Sequence, residues 1–239
     1  MEEKIVTLKK WLSESRSAVF FGGAGVSTES GIPDFRSEDG LFRKKYPVKP
    51  ETILSREFFS KDPETFYRFY RDKLMVDAAE PNVTHRRLAE LEAEGHLAAV
   101  VTQNIDGLHQ KAGSRTVYEL HGSLYRNYCE KCGKQYPGTK HIHACEGVPR
   151  CDCGGVIRPD IVFYGEMLDD GTVQGAEDAI YHADLLIVGG TSLVVYPAAG
   201  LLRYYRGKRL VLVNKSPTSY DSAANLLLCE KLGDVFSRV

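Results

Sequence analysis

The chain has 239 residues, 43% of them hydrophobic, and its 31 basic and 32 acidic side chains leave a net charge of −1. The length suits one large domain with a small insert. The charge balance excludes a broad electrostatic nucleic-acid surface and leaves room only for a local basic patch such as Arg43-Lys44-Lys45. No apolar run approaches the ~20 residues that span a bilayer.

The first segment, MEEKIVTLKKWLSES, opens with acidic residues and lacks a signal peptide's apolar centre. A cytoplasmic location is expected, where reducing conditions favour metal binding over disulfides for clustered cysteines. Ile5, Leu8, Trp11 and Leu12 fall at helical spacing and predict an amphipathic helix. Short apolar runs at 18–21, 98–101, 117–120, 185–188 and 210–213 read as buried strands. Helical stretches lie between them at 63–76, 84–94 and 175–182. Strands alternating with helices predict an α/β fold with a parallel sheet covered on both faces.

Each run ends in glycines or small polar residues: GGAGVS, TQNID, His121-Gly122, GGTS and Asn214. Ligands of open parallel sheets bind outside the carboxyl ends of the strands. Five such endings, two of them glycine-rich, point to a nucleotide site. The first loop departs from the usual dinucleotide fingerprint, however. Thr28 stands where GxGxxG needs its last glycine, and Gly31-Ile32-Pro33 stops any long helix. An ordinary dehydrogenase is therefore a poor match.

Residues 128–159 break the alternation. They are rich in Cys, Gly, Pro and His and poor in aliphatic residues, so they need an internal staple. Cys129-x2-Cys132 is half of a zinc knuckle, and 18 residues separate Cys132 from Cys151. Cys151-x-Cys153 is one residue short, which leaves Cys145, His141 or His143 as alternative third ligands. Gly154-Gly155 suits a tight knuckle turn, and Cys151 and Cys153 are retained on that ground. Four thiolates close a tetrahedral site, so the metal would be a staple with no open position for substrate. A second insert is expected across 37–75, where Phe58, Phe59, Phe66, Tyr67, Phe69 and Tyr70 cluster. Cys229 is expected as a buried small hydrophobe.

Gly23-Ala24-Gly25-Val26-Ser27, Gly31-Ile32-Pro33-Asp34-Phe35-Arg36, Thr102-Gln103-Asn104-Ile105-Asp106 and His121-Gly122 stand in the order found in sirtuins. So do the cysteine pairs, the stretch from Arg158-Pro159 to Phe163-Tyr164-Gly165-Glu166, and Gly190-Thr191-Ser192-Leu193. The chain thus resembles the compact prokaryotic sirtuins over most of its length. The resemblance implies a Rossmann-like NAD-binding domain over 1–36, 76–127 and 160–239, a zinc-binding insert at 128–159 and a helical or loop insert at 37–75. It implies NAD as co-substrate, structural zinc, and acyl-lysine proteins or peptides as partners, with a monomer expected. The reaction would move the acyl group from lysine to ADP-ribose, releasing nicotinamide and O-acetyl-ADP-ribose.

By the same resemblance, His121 is the general base and Asn104 orients the ribose and a water. Imidazole suits the first role because its pKa lies near ~6.5. Gln103 would meet the ribose, and Asp106 with the Ile105 backbone the nicotinamide carboxamide. Gly23, Ala24, Gly25, Ser27 and Thr28 would line the pyrophosphate and ribose. Phe35 would shield the reacting carbon, and Arg36 would contact phosphate or ribose. Gly190, Thr191, Ser192 and Asn214 complete the cofactor set, with Leu232 near the adenine. Val162, Phe163, Gly165 and Glu166 would bind substrate by main-chain pairing, the Val162 carbonyl accepting the acyl-lysine N–H. Tyr164 stands where many members have Phe.

Sirtuins that prefer acidic acyl chains carry Tyr-x-x-Arg in the helix before the second strand. Here Tyr67 is followed by Tyr70 at the arginine position, with Arg71 one residue later. One helical step of about 100° turns Arg71 away, so uncharged acyl groups are expected. Two other readings use the same residues: protein mono-ADP-ribosylation, and a non-enzymatic NAD or ADP-ribose sensor.

Overall fold

The structure, a computed structural model, describes residues 1–35, 40–41 and 47–239. Arg36 and the basic run Arg43-Lys44-Lys45 lie outside the described residues.

The strands are β1 (Ala18–Gly22), β2 (Leu97–Thr102), β3 (Val117–Glu119), β4 (Gly122–Cys129), β5 (Ile157–Ile161), β6 (Leu185–Gly189), β7 (Leu210–Val213) and β8 (Leu226–Leu228). Six of them form one sheet in the order β3-β2-β1-β6-β7-β8, with every neighbouring pair parallel. All five residues of β1 and of β6 are buried. That explains why these runs read as continuous rather than alternating apolar sequence. The strand order reverses between β1 and β6, where such sheets open a ligand crevice. β8 was not among the expected strands. Its three leucines favour helix by propensity and become a strand by pairing with β7.

Both faces of the sheet are covered. On one face, α1 (Glu2–Glu14) buries Ile5, Leu8 and Leu12 beside residues of two further helices. On the other, Ala176 and Ile180 pack with the short helical segment Ala198–Tyr204. The remaining helices in chain order are α2 (Pro50–Ile53), α3 (Arg56–Lys61), α4 (Pro63–Phe69), α5 (Val83–Ala93), α6 (Leu108–Ala112), α7 (Lys140–His143), α8 (Asp170–His182) and α9 (Leu232–Phe236). The helix expected at 63–76 ends at Phe69 and widens into a π turn over Tyr70–Leu74. α8 starts five residues before the expected 175, capped by the Asp169 carboxylate on the Thr172 N–H at 2.8 Å. Gly175 weakened the helical pattern there because it lies against the Tyr118 ring, where a Cβ would come within 2.4 Å.

A second, two-stranded antiparallel sheet joins β4 to β5. It reaches from Gly122 to Ile161, beyond the expected insert limits of 128 and 159. Gly122 has φ +76°, and a Cβ there would sit 1.9 Å from the Asp160 carbonyl oxygen, so only glycine fits. Around this sheet lies a third core. Phe59, Phe66, Tyr67, Phe69 and Tyr70 of the 37–75 segment pack with Leu124, Ile142, Ile161 and Phe163. The two inserts, separate in sequence, share one hydrophobic interior. Among the described residues, no helix is long and apolar enough to cross a membrane.

Candidate functional site

Hydrogen bonds continue past the strand ends and stitch their loops together. Gln103 N–H donates to the Gly22 carbonyl at 3.0 Å, Leu120 N–H to Thr102 at 2.9 Å, and Asn214 N–H to Leu228 at 3.0 Å. Two glycine turns interlock at the centre. Gly25 N–H donates to the Gly190 carbonyl at 2.8 Å. A Cβ on Gly25 would lie 2.8 Å from the Gly190 Cα, and one on Gly23 would lie 2.8 Å from the Thr191 Cβ. Gly190 itself has φ +61°. Loop-to-loop contact therefore demands these glycines before any phosphate is considered. Ala24 starts a single helical turn, Ala24–Val26, and a second, Thr28–Ser30, stops at Gly31 with φ +84°. Among the described residues no long helix follows.

Below the glycine turn lies a buried polar triad. Ser27 Oγ donates to Asp106 Oδ2 at 2.6 Å and accepts from Asn104 Nδ2 at 3.0 Å. Asp106 Oδ1 accepts the Leu108 N–H at 3.0 Å, at the entry to α6. Burial pushes the Asp106 carboxyl above its ordinary value, and the Ser27 hydroxyl pulls the other way. The Ser27 hydroxyl is thus spent on Asp106 and Asn104, and the Thr28 hydroxyl on the Gly25 carbonyl at 3.0 Å. Ile105 gives its carbonyl to the Leu124 N–H at 3.0 Å.

His121 stands half-buried at the end of the third strand's loop. Its Nδ1 is 2.9 Å from the Gln103 carbonyl oxygen. A carbonyl only accepts, so Nδ1 carries the proton and Nε2 presents a lone pair. Burial lowers the imidazole pKa from its ordinary value. The ring is therefore neutral near neutral pH, and Nε2 is the atom able to accept a proton. The His121 carbonyl accepts the Val162 N–H at 3.0 Å, which fixes His121 beside the segment 162–166.

At the outer side, Thr191 Oγ1 accepts from Gln103 Nε2 at 3.1 Å and from the Leu193 N–H at 3.2 Å. Asn214 Nδ2 donates to the Thr191 carbonyl at 3.1 Å, and Ser192 is exposed. Leu232 is buried in the core, with its methyls under the Gly189-Gly190 turn. Cys229, expected as buried, is exposed where the chain leaves the edge strand β8. Phe35 packs partly against the aromatic core. Sequence reading missed Asn82, whose side chain donates to the Val26 carbonyl at 2.8 Å and Ser30 Oγ at 3.0 Å while capping α5. The Asn82-x-x-His85 spacing of a capping box was its signal.

Residues 162–166, expected to be strand-like, follow β5 as irregular chain. Tyr164 alone bridges Ser55, and Gly165 turns the backbone at φ +90°. The reason is a local clamp. Phe163 N–H donates to Glu166 Oε2 at 2.9 Å, and Glu166 N–H returns to the Phe163 carbonyl at 3.0 Å. Phe163 buries its side chain among Phe59 and Phe66, so its main chain is what it offers a ligand. Among the described residues, the Val162 carbonyl and the Gly165 N–H make no hydrogen bond. Burial would raise the Glu166 carboxyl, but Arg158 and the Phe163 N–H hold it below its ordinary value.

The Sγ atoms of Cys129, Cys132, Cys151 and Cys153 all lie within 4.8 Å of one another, with the Cys129–Cys153 and Cys132–Cys151 separations at 3.5 and 3.6 Å. Four sulfurs at ~2.3 Å from a tetrahedral zinc stand about 3.8 Å apart, so the cluster fits that ion. Gly133 N–H closes the first knuckle on the Cys129 carbonyl at 2.9 Å, and Gly154 N–H the second on Cys151 at 2.8 Å. Gly154 has φ +81°, which lets the short Cys-x-Cys turn reach the cluster. Cys145 and His141 lie outside this group, and His143 Nε2 pairs with Asp77 Oδ2 at 2.8 Å instead.

Residues 23–197 match the model of the Sir2 family. A relative from Clostridium acetobutylicum, named NAD-dependent protein deacetylase, is 55% identical over 99% of this chain and 98% of its own length. A solved Sir2 complex with deacetylated p53 peptide and 3'-O-acetyl ADP ribose superposes with a TM-score of 0.90 at 42% identity, covering 98% of this chain and 96% of that one. A Sir2 complex with p53 peptide and NAD+ gives 0.86 at 41%, over 98% and 95%.

Proposed function

Because this chain belongs to the Sir2 family, we propose that it is an NAD-dependent protein lysine deacetylase that transfers the acyl group to ADP-ribose. The observation that carries this reading is the neutral His121, its Nε2 without a hydrogen bond among the described residues and its carbonyl bonded to Val162. NAD, as co-substrate, supplies the ribose that receives the acyl oxygen once nicotinamide leaves. The chain's residues do the rest. His121 Nε2 takes the ribose hydroxyl proton. Asn104 and Asp106, locked by Ser27, present fixed polar groups at the base of the crevice. The interlocked turns at Gly25 and Gly190, with Ala24, Thr28 and Ser192, form the pyrophosphate and ribose wall. Phe35 completes the cover, with Asn214 and Leu232 at the adenosine end.

The Val162 carbonyl and Gly165 N–H are an acceptor and a donor suited to an extended peptide, the former taking the acyl-lysine N–H. Zinc on the four cysteines staples the small domain. Its closed thiolate set leaves no ligand position for chemistry.

Uncharged acyl groups fit best. Tyr67 gives its hydroxyl to the Ile157 carbonyl, and Tyr70 is fully buried. Arg71 spends its guanidinium on the carbonyls of Ile142, Glu146 and Gly147, the last at 2.5 Å. Among the described residues, neither Tyr70 nor Arg71 offers a cation to the buried carboxylate of an acidic acyl chain.

Incubation with adenine-labelled NAD and an acetyl-lysine peptide tests the proposal. Label should leave as O-acetyl-ADP-ribose in step with lysine release, and His121→Ala should abolish this while folding normally. Label fixed on protein, or NAD left unconsumed with every acyl peptide, would overturn it.

A further inference from the structure

Four charged residues link the metal knuckle to the segment assigned to substrate. Arg158, on β5, is 4% exposed and makes a two-pronged pair with Glu166, Nη1–Oε1 at 2.8 Å and Nη2–Oε2 at 3.0 Å. Its Nη2 also donates to the Ile161 carbonyl at 2.8 Å, and its guanidinium lies over the Phe163 ring at 4.3 Å. Glu166 in turn fixes the Phe163 N–H. Glu130, inside the Cys129-x-x-Cys132 knuckle, bonds Arg56 and stands 3.8 Å from Arg158 Nη1. Its own N–H donates to the Val156 carbonyl at 2.9 Å. Arg56 closes the ring, with Nε 3.8 Å from Glu166 Oε1 and its main-chain N–H on the Tyr164 carbonyl at 3.0 Å.

Charge counting shows what the ring does. Two guanidiniums face two carboxylates, and each carboxylate is near both arginines. Glu166 orients Phe163 while Arg158 holds both its oxygens, and Glu130 holds Arg56. Without the Glu130 charge two cations would share Glu166, and without Arg56 two carboxylates would share Arg158; either change would loosen the Arg158–Glu166 pair and with it the bond to the Phe163 N–H. That bond sets the turn presenting the Val162 carbonyl and the Gly165 N–H. None of the four residues touches the interlocked glycine turns or the Ser27–Asp106–Asn104 triad.

We propose that Glu130 and Arg56 are positioning residues that hold the peptide-binding edge in register with the zinc knuckle, through Arg158 and Glu166, and set affinity for the acyl-lysine peptide. This rests on the assignment of residues 162–166 to substrate. Glu130→Gln and Arg56→Gln remove one charge each at partly exposed positions. Each should raise peptide KM, and the Kd of a fluorescent acetyl-lysine peptide without NAD, by about three- to tenfold. The kcat value and NAD KM should stay within twofold. Glu130→Asp, which keeps the charge, should recover most of the affinity. Unchanged peptide affinity in Glu130→Gln and Arg56→Gln, or a parallel fall in kcat and rise in NAD KM, would overturn the proposal. So would equal losses in Glu130→Gln and Glu130→Asp. Should Glu130→Gln fail to fold, Arg56→Gln decides alone. A wild-type protein that neither binds the peptide nor consumes NAD would instead sink the assigned function.

Discussion

Ser27→Ala removes one oxygen from the buried triad and should cost more than its size suggests. The Ser27 hydroxyl is 1% exposed, bonds a carboxylate at 2.6 Å, and receives the Asn104 amide at 3.0 Å. Losing a hydrogen bond to a buried charge costs about 1.5–3 kcal/mol. In a chain of this size, about 2 kcal/mol lowers Tm by roughly 4–8 °C. The loss should depend on pH. Asp106 has a folded-state pKa raised above 3.8 by burial, so its ionisation opposes folding. That cost is absent below the unfolded value and complete above the folded one. Without Ser27 the folded value rises further, so the gap between variant and wild type should widen from acid toward neutral pH. Asp106→Asn removes the charge, and Ser27→Ala in that background should cost about 1 kcal/mol less. Thermal melts of the four proteins between pH 5 and 8 measure this. Equal Tm losses in both backgrounds, flat with pH, would refute the reasoning.

Gly25→Ala should lower Tm by about 2–12 °C, since overpacking against the Gly190 backbone costs ~1–3 kcal/mol. The same variant should raise NAD KM several-fold in steady-state assays, because the two turns must part. The acidic limb of the kcat/KM profile should fall below pH 6.5, where the burial-lowered His121 gains its proton; a limb at pH 7 or above would contradict a neutral base. Cys145→Ser should keep one zinc per chain by elemental analysis, whereas Cys151→Ser should lose it.

The sheet was legible because its strands are buried on both faces and leave uninterrupted apolar runs such as residues 185–188. The ends of those runs located His121, Asn104 and Asp106, since polar residues there have few other places to go. β8 was illegible because Leu226, Leu227 and Leu228 carry no strand propensity of their own. The Glu166 clamp was equally hidden. Nothing in a linear sequence says that Phe163 N–H needs a carboxylate, or that Arg158 will hold it. The shared core of the two inserts also escaped, because the contact of Phe66 with Phe163 spans nearly a hundred residues and depends on the intervening sheet.

That shared core imposes an order on how the molecule is made. The aromatic helices of residues 50–75 leave the ribosome well before β4, β5 and Phe163, with α5, β2 and β3 emerging in between. Until the later strands arrive, Phe59, Phe66, Tyr67 and Tyr70 have no partner surface, and closing them demands a long loop. The small domain therefore cannot close until Phe163 has emerged, and the large sheet waits longer still, since β1 pairs with β6. Through that interval the nascent chain carries its most aromatic segment without the strands that will cover it, which makes that segment a natural place for a chaperone to hold it.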